Sequence, residues 1–177
     1  LRQLDMPKIR FVCEFTPQEA AETGLDRVRF LMSANVGEAL KPLSKVASGG
    51  ELARIMLAMK QVLAQQDGVP TLIFDEVDAG VSGRAAQKVA RKLWAVSKGR
   101  QVLCVTHLPQ IAAMADAEFT VEKRVEHERT YTSVLHLDDS GRRQELARLI
   151  GGSMITETTL AGAAELLRLA DEAKRGI

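Results

Sequence analysis

Two cysteines in 177 residues leave no disulfide framework to hold this chain together. Each lies in an apolar stretch, Cys13 in "FVCEF" and Cys104 in "VLCVT", which predicts buried, reduced thiols in a cytosolic protein. No apolar run approaches the roughly 18 residues that a helical membrane span needs, and no signal peptide is visible. Neither membrane insertion nor secretion is therefore expected. A formal net charge of +1 gives no field that would draw the whole molecule to nucleic acid or to an anionic surface. Any DNA contact has to come from a local patch, and Lys88, Arg91, Lys92, Lys98 and Arg100 form the one basic run that suggests itself; a solvated helix face is the ordinary alternative. Internal repeats, low-complexity tracts and metal-ligand spacings among His107, His127 and His136 are missing too; the last two read as structural.

What is present is the composition of an ordinary globular domain, 46% hydrophobic and 27% charged, enough for one core over residues 1–177. The chain begins at Leu1, in mid-pattern, and reads as a piece of something larger. "IRFVCEF" (9–15) and "RVRFLMS" (27–33) alternate like strands, with "TPQEAAETGLD" between them as a helix or turn. From Glu51 to about residue 66, Leu52, Ile55, Met56, Met59, Val62 and Leu63 recur at helical spacing. "TLIFD" (71–75) and "QVLCVT" (101–106) are short continuous apolar runs, the mark of strands buried on both faces. A helix over 84–97 separates them, and a short one follows from Pro109. "EFTVEKR" and "RTYTSVLHL" predict an antiparallel pair, and the chain from Arg142 on reads as helical with a break at Gly151-Gly152. Strand, helix, strand, helix through the middle implies an α/β fold with parallel strands and ligands gathered beyond their carboxyl ends.

Those ends carry the candidate chemistry. Asp75 and Glu76 close the first buried strand, where one carboxylate can position hydrated Mg²⁺ and its neighbour can take a proton from an attacking water. A solvated loop start explains the same pair. Thr106 and His107 close the second strand, where a histidine can meet a terminal phosphate or simply cap the strand. Upstream, "ASGGELARIM" holds Ser48 and Glu51 at capping-box spacing. Gly49 and Gly50 give up about 1 kcal/mol each of helix propensity relative to alanine. A backbone that a ligand can approach closely is what they offer in return, so cap and phosphate site are compatible at this helix start.

In this order the pieces resemble the second half of an ABC-type ATPase head: "ASGGE" the signature motif, "TLIFDE" the Walker B strand, "VDAG" the D-loop and "VTH" the switch histidine. "SANVGEALKPLSKVASGGELARIMLAMK", "FDEVDAGVSGRAA", "QVLCVTHLPQIAAMAD" and "QELARLIGG" narrow the resemblance to the bacterial RecN family, SMC-like proteins of DNA double-strand break repair. The resemblance implies the C-terminal lobe of an ABC/SMC-type P-loop ATPase head: a mostly parallel sheet flanked by helices, with an antiparallel strand pair. The signature helix would run over about 48–66, the Walker B strand over 71–76 and the switch strand over 101–107. It further implies that Asp75 holds Mg²⁺, that Glu76 is the general base and that His107 senses the γ-phosphate. Ser48, Gly49, Gly50 and Glu51 would bind the γ-phosphate of ATP held by an opposing head in an ATP-dependent homodimer, with Asp78 in the D-loop at that interface. No G-x-x-x-x-G-K-[ST] occurs, nor a heptad run, so the P-loop lobe and coiled coil are expected as partners and this lobe alone is expected to be inactive. DNA would be the target of the full protein, in the cytoplasm. Two other readings are an ABC-transporter nucleotide-binding domain and a non-catalytic dimerisation or DNA-binding module. The first usually has glutamine at Glu51 and "DEPTSALD"-like wording where "DEVDAGVSG" stands.

Overall fold

The computed structural model describes residues 1–4, 6–33, 37–45, 49–63, 66, 68–126 and 129–176. Strands β1 (Arg10–Ala21) and β2 (Gly24–Ser33) form an antiparallel hairpin, and the short β3 (Lys41–Pro42) adds to β2. The segment expected as helix or turn is therefore mostly strand: β1 continues past Thr16, with an irregular register between Pro17 and Ala21, and only Glu22 and Thr23 turn. Register places Phe11, Cys13 and Phe15 opposite Met32, Phe30 and Val28 on one apolar face. Met32 is buried at its base, the rings of Phe11 and Phe30 stack at 5.6 Å, and Phe15 and Val28 are exposed at its far end. Cys13 is thus exposed and not buried, because the hairpin projects beyond the core that its alternation anticipates.

Helix α1 (Gly49–Val62) leads to β4 (Thr71–Phe74), helix α2 (Gly83–Val96) and β5 (Gln101–Cys104). β4 and β5 are paired in parallel, Phe74 beside Cys104, and the pairing runs on through the amide of Val105 donating to the Phe74 carbonyl at 3.0 Å. Helix α3 (Pro109–Ala112) follows, then the antiparallel hairpin of β6 (Phe119–Glu126) and β7 (Arg129–His136), and the helix pair α4 (Asp139–Gly151) and α5 (Glu157–Arg175). Asp138 caps α4 by accepting from the Gly141 amide at 2.7 Å, Thr156 caps α5 through a reciprocal bond with Thr159, and Gly152 at φ +77° ends α4. Among the described residues parallel pairing is confined to β4 and β5; the other five strands are antiparallel, so "mostly parallel" holds for this central layer alone.

The core lies where α2 packs on α1 and α3, with α4 and α5 closing the far side. Ala85, Ala86, Val89, Ala90, Leu93 and Trp94 form the buried stripe of α2. Leu57 and Leu146, both fully buried, each contribute about 1.5–3 kcal/mol by leaving water. The expected periodicity of α1 is right but the buried face is turned: Gly50, Arg54, Ile55 and Leu57 face inward, while Leu52, Met56 and Leu63 stay partly exposed. β4 and β5 are buried on one face, not two. Leu72 and Phe74 point to the core, whereas Ile73 (70% exposed), Leu103 and Val105 look outward.

Candidate functional site

β4 ends at Phe74, so Asp75 and Glu76 lie just beyond it, both exposed. Glu76 has φ +55°, the left-handed region, and among the described residues it is the only non-glycine that does. The chain bends here from strand into loop, and two fully or nearly buried valines, Val77 and Val81, anchor that loop. Within it the amide of Ala79 donates to the Glu76 carbonyl and that of Val81 to the Asp78 carbonyl, both at 3.0 Å.

Asp78 is 3% exposed and turned into its own lobe. Its Oδ2 accepts from the Thr106 hydroxyl at 2.5 Å, from the His107 amide at 2.9 Å, and lies 3.1 Å from His107 Nδ1. Thr106 in turn accepts from the Leu108 amide at 3.1 Å. A buried carboxylate is thereby held by two hydrogen bonds from residues just beyond β5, with the imidazole nitrogen close by. The His107 side chain, 73% exposed, stands with Nδ1 3.1 Å from Asp78 and Nε2 on the other side of the ring. The resemblance implies an interface role for Asp78; in this structure its carboxylate is turned inward and joins the two strand ends.

The third component is the tip of α1. Ser48 lies outside the described residues, so its capping bond is not described; Gly49, Gly50 and Glu51 form the first turn. A Cβ on Gly49 would come within 2.6 Å of Glu76 Oε2, and one on Gly50 within 2.7 Å of the Ala79 Cβ and 2.9 and 3.0 Å of the carbonyl oxygens of Ala79 and Glu76. The glycine pair therefore has a reason inside the chain: the turn carrying Glu76 and Asp78 rests directly on it. One turn further along α1, Arg54 Nη1 donates to the Ala79 carbonyl at 2.7 Å and lies 3.4 Å from that of Val77. Sequence reasoning missed Arg54. The available signal was a cation set inside the apolar run of "ELARIML".

Electrostatics mark the strand ends as negative. Burial pushes the Cys104 thiol up to about 12, and the charges of Asp78 and then Asp75 add to the shift. A polyphosphate enters such a field only with a cation. Among the described residues no cluster of three or more His, Cys, Asp or Glu side chains could hold a metal by itself. A single exposed carboxylate, Asp75, fits Mg²⁺ held mainly by phosphate oxygens and water. Of the remaining candidates, His127 lies outside the described residues, and His136 packs against the Phe119 ring at 4.9 Å, away from this site. The basic run divides. Lys98 sits over the Trp94 ring at 3.5 Å, whereas Lys88, Arg91 and Lys92 line a concavity of about 450 Å³ with Arg2 and Gln61. No described helix is long and apolar enough to cross a membrane.

No family model matches the chain. Curated proteins do. It is 51% identical to the DNA repair protein RecN of Bacillus subtilis (strain 168) over 158 residues, 89% of this chain and 27% of that protein. Identity to the DNA repair protein RecN of Treponema pallidum (strain Nichols) is 46%, over 99% of this chain and 32% of that protein. The chain thus spans about a third of the length of the relatives it matches. Among solved structures, an Smc head domain with a coiled coil and joint from Pyrococcus yayanosii superposes with a TM-score of 0.62 at 21% identity, covering 86% of this chain and 27% of that one. An Smc head with an extended coiled coil from Pyrococcus furiosus, bound to the C-terminal domain of ScpA, gives 0.53 at 22% identity over 76% of this chain and 32% of that one. These likenesses show an SMC-type head fold.

Proposed function

Because the chain belongs to the RecN family, we propose that it is the C-terminal lobe of an ATPase head whose ATP-driven pairing serves DNA double-strand break repair in the cytoplasm. One observation carries the reading. The ends of two parallel strands bring Asp75, Glu76, Asp78, Thr106 and His107 into one cluster, with an amide-bearing helix tip packed against it. Exposed carboxylates at a strand end with an exposed imidazole beside them suit phosphoanhydride hydrolysis. Mg²⁺, when bound with ATP, supplies charge neutralisation for the phosphates. Asp75 orients that ion, Glu76 accepts the proton of the attacking water, and His107 Nε2 meets the terminal phosphate. Ser48, Gly49, Gly50 and Glu51 serve the nucleotide of an opposing head, through backbone amides at the positive end of α1.

The lobe's surface supports a P-loop lobe as its partner. Among the described residues β5 pairs with β4 alone, and a cleft of about 1130 Å³ is lined by residues 100–107 of β5 and its flanks, by Phe119–Glu122 and by parts of α2 and α4. The edge of β5 without a partner among the described residues is suited to receive a further strand, and exposed Leu103, Val105 and Phe119 add apolar surface for a partner to cover.

The test is Glu76→Gln in the head completed with a P-loop lobe. Loss of a general base should lower turnover by about a hundredfold or more while ATP binding is kept. Turnover within a few-fold of the unsubstituted head would remove Glu76 from that role.

A further inference from the structure

We propose that Arg54 is a positioning residue, which holds the Glu76–Ala79 turn and so couples the tip of α1 to the end of β5. The inference rests on the reading of this cluster as half of an ATPase site and deepens it by naming how one part of the cluster answers to another.

Arg54 is 7% exposed, on the inward face of α1 beside Ile55 and Leu57. A guanidinium there is costly unless its donors find acceptors, and Nη1 is the one that meets the turn. The turn offers acceptors of the right kind. Its own amides take up the carbonyls of Glu76 and Asp78, through Ala79 and Val81. The alternate carbonyls, those of Val77 and Ala79, face Arg54 Nη1 at 3.4 and 2.7 Å. Helix and turn thus divide four successive carbonyls between them. A left-handed glutamate begins this turn, and such a conformation persists only where its surroundings impose it. Arg54 and Gly50, four residues apart on α1 and touching the same Ala79, are those surroundings.

The turn does not end the chain of contacts. Between the two carbonyls held by Arg54 lies Asp78, whose carboxylate grips Thr106 and His107. A displacement of α1 is therefore passed to Ala79, Asp78, the Thr106 hydroxyl and the His107 amide through the Arg54–Ala79 bond at 2.7 Å and the Asp78 bonds at 2.5 and 2.9 Å. Whatever ligand the α1 tip engages, the positions of Glu76 and His107 report it. The coupling is physical in the sense that one element, the turn, is biased from both sides.

The test compares the completed head with its Arg54→Gln and Arg54→Lys variants. Without nucleotide, amide hydrogen exchange is followed at Ala79, Val81 and His107, with β1 and β2 as internal reference. Arg54→Gln should speed exchange at all three amides by about tenfold or more and leave the reference unchanged. In ATP hydrolysis it should lower kcat by about tenfold or more with KM for ATP within about twofold, since the groups are misplaced and not removed. Arg54→Lys, which keeps a cation able to reach the Ala79 carbonyl, should recover part of both, and it carries the test should Arg54→Gln not fold. Faster exchange at Ala79 with none at His107 overturns the coupling. An unchanged kcat overturns the positioning role, even if the melting temperature falls. A completed unsubstituted head with no ATPase overturns the proposed function instead, and the exchange pattern then judges Arg54 by itself.

Discussion

Alanine at Gly50 and alanine at Gly49 should have opposite effects on stability, although the two positions are neighbours in one helix turn. Intrinsic propensity favours alanine at either by up to about 1 kcal/mol. At Gly49 the added Cβ meets only Glu76 Oε2, at 2.6 Å, with Cδ 3.9 Å away. That is the far end of a flexible, exposed side chain, which can rotate aside at little cost, so Gly49→Ala should lie between neutral and about 1 kcal/mol stabilising. At Gly50 the added Cβ meets the Ala79 Cβ at 2.7 Å and two carbonyl oxygens at 2.9 and 3.0 Å. None of these can yield alone, because the Ala79 carbonyl is held by Arg54 and the Glu76 carbonyl by the Ala79 amide. Overpacking of this kind costs about 1–3 kcal/mol, and three simultaneous clashes put Gly50→Ala in the upper part of that range, about 1–2 kcal/mol destabilised after the propensity gain. A gap of about 2 kcal/mol between the variants corresponds to melting temperatures some 4–8 °C apart for a chain of this length. Thermal unfolding followed by circular dichroism in one buffer measures it. Gly50→Ala melting as high as Gly49→Ala would refute the contact between turn and helix tip, and with it the account of why this helix opens on two glycines.

Two further outcomes follow from the same description. Cys104, its thiol pushed from the ordinary 9.0 to about 12, should be about one part in ten thousand thiolate at pH 8, so a thiol reagent should titrate exposed Cys13 and spare Cys104 until the chain unfolds; two equally fast thiols would refute its burial. The raised value also has a pH consequence: the stability it contributes is present below about pH 9 and is lost as pH rises toward 12, because only the unfolded chain then releases the proton. If the concavity lined by Arg2, Lys88, Arg91 and Lys92 contacts DNA phosphates, Lys88→Glu with Arg91→Glu should reduce the slope of log affinity against log salt by about two, and an unchanged slope would free that face of any DNA role.

How far the sequence reaches differs by region, and the reasons are physical. Short apolar runs bounded by turn residues identify β4 and β5, because a strand that packs against helices on its inner face must be apolar there. The runs also carry Ile73, Leu103 and Val105, and composition does not tell whether such side chains meet this lobe or another body. Alternation located the first hairpin but stopped it too early, since the polar "TPQEAAET" has no apolar face by which a strand could be recognised. Its strand character comes from pairing with β2, a tertiary fact. In α1 the apolar spacing is legible and the buried face is not. Arg54, a residue that hydropathy assigns to solvent, is drawn inward by carbonyls more than twenty residues downstream. The site shows the same division. Asp75, Glu76, Thr106 and His107 follow from the rule that strand ends hold ligands, whereas the inward turn of Asp78 depends on a bond across two strands that spacing does not encode.

Glycines at the tip of α1 invited a ligand as their explanation, and the turn against them supplies another. The two uses are separated by direction. The missing Cβ atoms of Gly49 and Gly50 face sideways, into Glu76 and Ala79. The first-turn amides of a helix point along its axis, away from the following turns. Packing of the turn therefore occupies the flank of the tip and leaves the axial amides as they were. It follows that the absence of side chains does not weigh for a bound phosphate, since packing alone demands it at Gly50. What weighs for one is the axial group of amides at the positive end of a fourteen-residue helix.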